Sequence, residues 1–448
     1  MYGLYVVNDI VKYLNFIEKL LKGTWWSLYI VYIPKYIMQL VEKHIISKNN
    51  TFFNECDRLC FLSKNLYNKA NYIIRQEFIK TSKEKEEGLR DYAIYLNYFD
   101  IRRILLNDVD YTSLPRKISN QTIMMLDRNW KSFFASIKDY SKNKGKYLGR
   151  PKPPTYKDKE YGRFIVTYDN QAISKKELKK GFVGLSGTNI KIPTTKTNIQ
   201  QCRIVPRNDH YVIEIVYNVN ETPIKPDNGK YMSIDLGLGN LATVTSNDRS
   251  VKPFIVNGKP LKSINQFFNK RVSELKSKLK SNKCTSKRIK RITNKRNNKV
   301  NDYLHKSSRY IVNQLVSGDI NTLVVGKNKE WKQEINIGKV NNQNFVNIPH
   351  DRFIDMLIYK CKLEGINVTT IEESYTSKCS FLDLEDIKKH TSYKGKRISR
   401  GLFKSNNGRL INADINGSFN ILRKAVPNVF TDGIEGFVVN PMVYTIKK

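Results

Sequence analysis

Three short stretches place carboxylates beside strand-like runs. They are Ser233-Ile234-Asp235-Leu236-Gly237-Leu238-Gly239-Asn240, Glu372-Glu373-Ser374-Tyr375-Thr376-Ser377 and Asn412-Ala413-Asp414-Ile415-Asn416-Gly417. Hard divalent cations such as Mg²⁺ prefer oxygen donors. Three carboxylates drawn from separate points of a chain can hold two such ions and hydrolyse a phosphodiester. Asp235 closes the apolar run Tyr231 to Ile234, where a side chain emerges at a sheet edge. Gly237 and Gly239 leave room for a phosphate or a metal against the backbone. Asp414 precedes a helix whose apolar residues run from Ile415 to Leu422. Singly these signals are weak. An Asp-x-Gly after a strand also occurs in actin-like ATPases and in ordinary turns, and Asp414 alone reads equally as a helix N-cap. Their combination on a strongly basic chain gives them weight.

The 448 residues suffice for two to four domains with at least one sizeable core. Lys and Arg number 78 against 41 Asp and Glu, a net charge of +37. Such an excess points first to nucleic acid as partner and second to an acidic membrane surface. The richness in Lys, Asn, Ile and Tyr is also what an AT-rich genome imprints. With 26 Tyr and 20 Phe the chain is no disordered basic tail. The six cysteines are scattered; Cys56 and Cys60 share one helical face, where packing is the simpler reading. No disulfides are expected, and a reducing intracellular compartment fits. Trp25 to Val41 is apolar but is broken by Pro34-Lys35, too short and interrupted to span a bilayer, so a soluble protein is expected.

Residues 1–37 read as an extension that the fold does not need. From Thr51 to about Ser136 apolar residues recur at three and four (Leu59, Leu62, Leu66, Ala70; later Ile123, Leu126, Trp130, Phe134), which predicts a helical lobe over 51–149. Alternating runs after Pro151-Lys152-Pro153-Pro154 predict a small β-barrel or sandwich over 150–228, together with 38–50. An α/β domain follows over 229–424. It carries a basic helical arm at 262–316, in which 270–299 holds 13 Lys or Arg and one acid, Glu274. Lys276, Lys280, Lys287, Arg288, Lys290, Arg291, Lys295 and Arg296 are the arm's expected nucleic-acid contacts, and binding through them would be steeply salt-dependent. A loop insert spans 376–411, with Arg397, Arg400 and Lys404 as further phosphate contacts. The tail over 425–448 carries no motif.

With these motifs the chain resembles the TnpB family of transposon-encoded RNA-guided nucleases, which includes Fanzor proteins, from about Met38 to Lys424. The likeness rests on Cys60-Phe61-Leu62-Ser63-Lys64-Asn65-Leu66-Tyr67-Asn68, on Pro151 to Lys157, on Thr376-Ser377-Lys378-Cys379-Ser380 and on the three acidic motifs. It implies a multidomain α/β architecture: an RNase H-like RuvC nuclease domain, and a β-barrel wedge domain interrupted by a helical recognition lobe. It further implies a guide RNA from the same element, double-stranded target DNA beside a short adjacent motif, and Mg²⁺ at one RuvC site. The resemblance also allows for a separate recombinase or transposase of that element. The expected setting is the cytoplasm or nucleoid of a prokaryote, or a nucleus or viral factory. Asp235 corresponds to the first catalytic and metal-binding carboxylate, and Asp414 to the third.

The chain departs from the family twice. Where many members carry the second carboxylate, at the end of the run Asn321 to Val325, it has Gly326. Glu373 is the expected substitute and Glu372 its rival, since adjacent strand residues face opposite sides; Glu330 and Glu334 are outsiders. The family's two Cys-x-x-Cys pairs are reduced to Cys379, so no structural Zn²⁺ is expected, and Phe381, Leu382 and Leu402 or the nucleic acid must hold the insert. Beside an active RNA-guided endonuclease stand a cleavage-deficient RNA-guided DNA-binding protein, a DNA-joining transposase and an actin-like ATPase.

Overall fold

The computed structural model describes residues 37–280, 283–328 and 348–446. Glu330, Glu334 and the extension up to residue 36 lie outside the described residues. The first strand, β1 (Ile37–Ile46), leads into α1 (Phe53–Glu86), α2 (Tyr98–Leu105) and α3 (Arg116–Lys142). The period of three and four in α1 and α3 buries Leu59, Leu66, Ala70, Ile74, Ile123, Leu126 and Trp130. Tyr95, Phe78, Phe133 and Phe134 pack around the Trp130 ring.

The chain then forms β2 (Val166–Asp169), the hairpin β3 (Phe182–Gly184) and β4 (Lys191–Pro193), and the long strands β5 (Ile199–Pro206) and β6 (Tyr211–Asn220). The order β1-β6-β5-β2 is antiparallel and open, with β3–β4 paired separately. A closed barrel is therefore not seen among the described residues; alternation reveals that strands form, not whether their edges meet. One continuous core joins this sheet (Val166, Tyr168, Cys202, Ile204, Ile213, Ile215) to α1 and α3.

Two asparagines make the junction specific. The Asn68 side chain donates to Lys157 O (2.9 Å) and accepts from Lys157 N (2.8 Å). Asn71 donates to Pro154 O (3.0 Å) and accepts from Trp130 Nε1 (2.9 Å). The two motifs at 60–68 and 151–157 are thus bound to each other.

Residues 231–446 build a six-stranded sheet in the order β11-β10-β7-β8-β9-β15. Its members are β7 (Tyr231–Leu236), β8 (Asn240–Ser246), β9 (Phe254–Asn257), β10 (Thr322–Gly326), β11 (Asn367–Ile371) and β15 (Met442–Tyr444). β7, β10 and β11 run parallel, and β8 reverses direction. Helices α4 (Lys259–Lys276), α5 (Lys287–Ser317) and α6 (His350–Leu363) cover one face through Leu261, Leu304, Ile311, Phe353 and Leu357. Helix α7 (Ala413–Ala425) covers the other through Ile415, Phe419 and Ile421. The tail has a place after all: Phe430 and Phe437 pack on Phe419, β15 extends the sheet beside β9, and Tyr444 stacks on Tyr310 at 3.8 Å. Among the described residues no helix is long and apolar enough to cross a membrane.

Candidate functional site

The three acids lie around the end of the parallel strands. Along β7, Tyr231, Ser233 and Asp235 share the face covered by α7, while Met232, Ile234 and Leu236 enter the opposite core. On β10 the same face carries Val324 and Gly326, and on β11 Ile371. Residue 373 lies two positions beyond Ile371. Glu373 accordingly turns inward and is only partly exposed, whereas Glu372 points to solvent.

Helix α7 brings the third acid. Asn412, not Asp414, caps it: the Asn412 side chain accepts from Asp414 N (3.0 Å) and Ile415 N (3.2 Å). The simple capping role for Asp414 is thereby excluded, and its carboxylate is engaged elsewhere. Asp414 Oδ2 accepts from Asn240 Nδ2 (2.6 Å) and Oδ1 from an Arg397 guanidinium nitrogen (3.2 Å). At Gly417 a Cβ would lie 2.8 Å from Asp235 Oδ2, so a glycine is what lets α7 close on that carboxylate.

Gly326 has a reason of its own. A Cβ there would come within 2.7 Å of Glu373 Oε2 and 2.6 Å of Ile421 Cδ1. The Glu373 carboxylate therefore occupies the space that a side chain at 326 would need. Asn328 holds it there, donating Nδ2 to Glu373 Oε1 (2.9 Å) and accepting from Glu373 N (3.2 Å). Glu373 Oε2 is buried without a hydrogen-bond partner.

The electrostatics show the three acids as neighbours. Burial, then Glu373 and then Asp414 hold the Asp235 carboxyl well above its usual range, against a smaller opposing pull from Arg397. Burial pushes Glu373 up to about 7. Among the described residues no three His, Cys, Asp or Glu side chains are already gathered into a metal-holding cluster.

The insert supplies the rim. Its strands β12 (Lys396–Ser399), β13 (Leu402–Lys404) and β14 (Leu410–Asn412) form a small antiparallel sheet. Arg397 on β12 reaches Asp414, Arg400 lies beside Gly239, and Lys404 stays exposed. Phe381 stacks on Phe419 at 4.3 Å and Leu382 is buried, as expected; Leu402 is only half-buried. Most of the anchoring is polar. Within the insert, Glu385, itself buried, accepts from Ser380 N and Lys394 N (both 2.8 Å) and braces its fold. Asn416 donates to Cys379 O (2.9 Å) and accepts from Phe381 N (2.8 Å). Asn420 donates to Thr376 O (2.9 Å) and Cys379 O (2.7 Å).

In the arm, Lys276, Lys280, Lys287, Arg288, Lys290, Arg291 and Lys295 are exposed. Arg296 differs from its neighbours. Its Nε donates to Asn265 Oδ1 (2.7 Å), its guanidinium lies over Phe268, and burial lowers its basicity. It braces α5 on α4 rather than standing free as the other cations do. No pattern in the sequence points to Asn328 or to buried His350, whose Nε2 contacts Gly237 O at 3.1 Å and steadies the turn after Asp235.

Residues 214–332 match the OrfB_IS605 family, described as a probable transposase, and residues 350–421 match the Cas12f1-like TNB domain. The TnpB-like protein ORF457 of Acidianus two-tailed virus is 24% identical over 414 residues, which cover 82% of this chain and 83% of that protein. The chain is similar to TnpB-like proteins over most of its length. Among solved structures, a Cas12f1 complex with single guide RNA and target DNA overlaps it at a TM-score of 0.35 and 16% identity, covering 85% of this chain and 98% of that one. The mini-RNA-guided endonuclease Cas_phi3 overlaps at 0.42 and 11%, covering 95% of each chain. Both overlaps are loose. The first of the two family matches spans Asp235 and Gly326, the second Glu373 and Asp414.

Proposed function

We propose that the protein is an RNA-guided DNA endonuclease of a mobile element that hydrolyses DNA phosphodiesters at Asp235, Glu373 and Asp414. The observation that carries this reading is the convergence of the three carboxylates on one crevice, with the acidity of Asp235 governed by burial and by the other two. Its donor set suits Mg²⁺: all oxygen, with Glu373 Oε2 buried and lacking a partner. Bound there, Mg²⁺ would supply Lewis acidity and an activated water. The chain's own groups do the rest. Asn328 and Asn240 fix the Glu373 and Asp414 carboxylates through one oxygen each. Arg397 and Arg400 set two guanidinium groups at the mouth, where a phosphate backbone would run. The exposed cations of α4, α5 and the loop between them add a sequence-independent hold on nucleic acid. Loss of cutting through Gly326 is disfavoured, because Glu373 fills the space left there.

The test is cleavage of duplex DNA matched to the RNA that copurifies with the protein and is identified by sequencing. Asp235→Ala and Asp414→Ala should abolish cutting while RNA and DNA binding persist. Glu373→Gln should do the same and Glu372→Gln should not. Undiminished cleavage by either aspartate variant would overturn the assignment.

A further inference from the structure

Between the first and third acids lies a buried trio of hydroxyls that the chemistry above does not use. Ser233, Thr245 and Ser418 are each 0–1% exposed. Ser233 Oγ donates to Ser418 O (2.8 Å) and lies 2.8 Å from Thr245 Oγ1 and 3.2 Å from Ser418 Oγ. Thr245 Oγ1 lies 3.0 Å from Ser418 Oγ, which itself reaches Thr243 O (3.2 Å) and Ser233 O (3.3 Å). Every hydroxyl can thus donate once: Ser233 and Ser418 to backbone carbonyls, Thr245 to a neighbouring hydroxyl. A closed set of this kind in a dry setting ties strand to helix, because each hydroxyl finds its partners only within the trio and the carbonyls beside it.

Its position is what gives it a role. Ser233 stands two residues before Asp235 on the same strand face, opposite Thr245, just as Asp235 stands opposite Thr243. Ser418 stands four residues after Asp414, on the same side of α7. The trio therefore fixes the strand that carries Asp235 to the helix that carries Asp414. Gly417, beside Ser418, permits the close approach at Asp235 Oδ2. Apolar residues at these three places would seal the helix to the sheet equally well, but would allow α7 to slide along it.

We infer that Ser233, Thr245 and Ser418 are positioning residues which set the separation of Asp235 and Asp414 and hence the affinity of the site for a divalent cation. This deepens the reading given above and rests on it. The experiment is a Mn²⁺ titration of the full-length protein followed by electron paramagnetic resonance, with thermal melting alongside. The variants are Thr245→Val, Ser418→Ala, the hydroxyl-retaining Thr245→Ser, and Asp235→Asn as the reference for lost binding. Thr245→Val and Ser418→Ala should each weaken the Asp235-dependent Mn²⁺ site at least tenfold, and Thr245→Ser should bind as the unaltered protein does. An Asp235-dependent site whose affinity neither Thr245→Val nor Ser418→Ala changes, whatever happens to the melting temperature, would overturn the inference alone. Identical Mn²⁺ titrations for the unaltered protein and Asp235→Asn would overturn the acidic-site reading and this inference with it.

Discussion

A methyl group at residue 326 probes the site more sharply than removal of a carboxylate. In Gly326→Ala the new Cβ would sit 2.7 Å from Glu373 Oε2 and 2.6 Å from Ile421 Cδ1, both well inside ordinary contact. Each obstructing atom is the tip of a flexible side chain, so the fold can yield. Overpacking costs about 1–3 kcal/mol, and the low end is expected here. Relief shifts the Glu373 carboxylate by roughly 1 Å, a displacement that costs on the order of 100-fold in rate when it falls on the reacting geometry. The expected outcome is therefore a loss of about 10–100-fold in single-turnover cleavage of matched duplex DNA. RNA binding should be intact and the melting temperature lower by about 2–4 °C per kcal/mol. Pairing Gly326→Glu with Glu373→Gly returns the carboxylate to the strand end and should recover part of the rate. Full-rate cleavage by Gly326→Ala would show that Glu373 does not act from the space above Gly326.

Two further expectations concern pH and the helical lobe. Burial raises Glu373 from 4.5 to about 7, so between those values the folded protein holds a proton that the unfolded chain has released. Its contribution is complete below about 4.5 and is lost as pH rises through about 7. Metal-free protein should thus melt at falling temperature across that window, and Asp235, raised likewise, acts in the same direction. Glu373→Gln should flatten the trend, and cleavage by the unaltered protein should rise with pH as the ligand form becomes available; equal slopes for the two proteins would contradict this. In the lobe, Asn71→Leu leaves Trp130 Nε1 and Pro154 O unpaired. At about 1–3 kcal/mol for each buried orphan, the urea midpoint should fall clearly, and an unchanged midpoint would discount the junction.

Much of the site is legible in the sequence because its acids end strongly patterned segments. Asp235 follows an apolar run, and parity along the strand separates Glu373 from Glu372. What stays hidden depends on partners far away in the chain. Gly326 reads as a missing carboxylate, and only the packing of Ile421 and Glu373 above it shows that its place is filled. Arg296 reads like its cationic neighbours until Asn265, on another helix, claims it. Strand alternation finds β1, β5 and β6 but carries no information on whether a sheet closes; among the described residues they lie in an open sheet. The tail shows no period because its aromatics answer to Phe419 and its last strand to β9.

The insert over 376–411 is tethered to α7 by Asn416, Asn420 and the stacking of Phe381 on Phe419, and is braced from within by Glu385. A single ion shared by four thiolates fails as a whole when one ligand is lost. Separate amide and carboxylate ties fail one at a time. The stiffness of this flap can therefore be graded by successive point changes, each loosening one tie while the others hold.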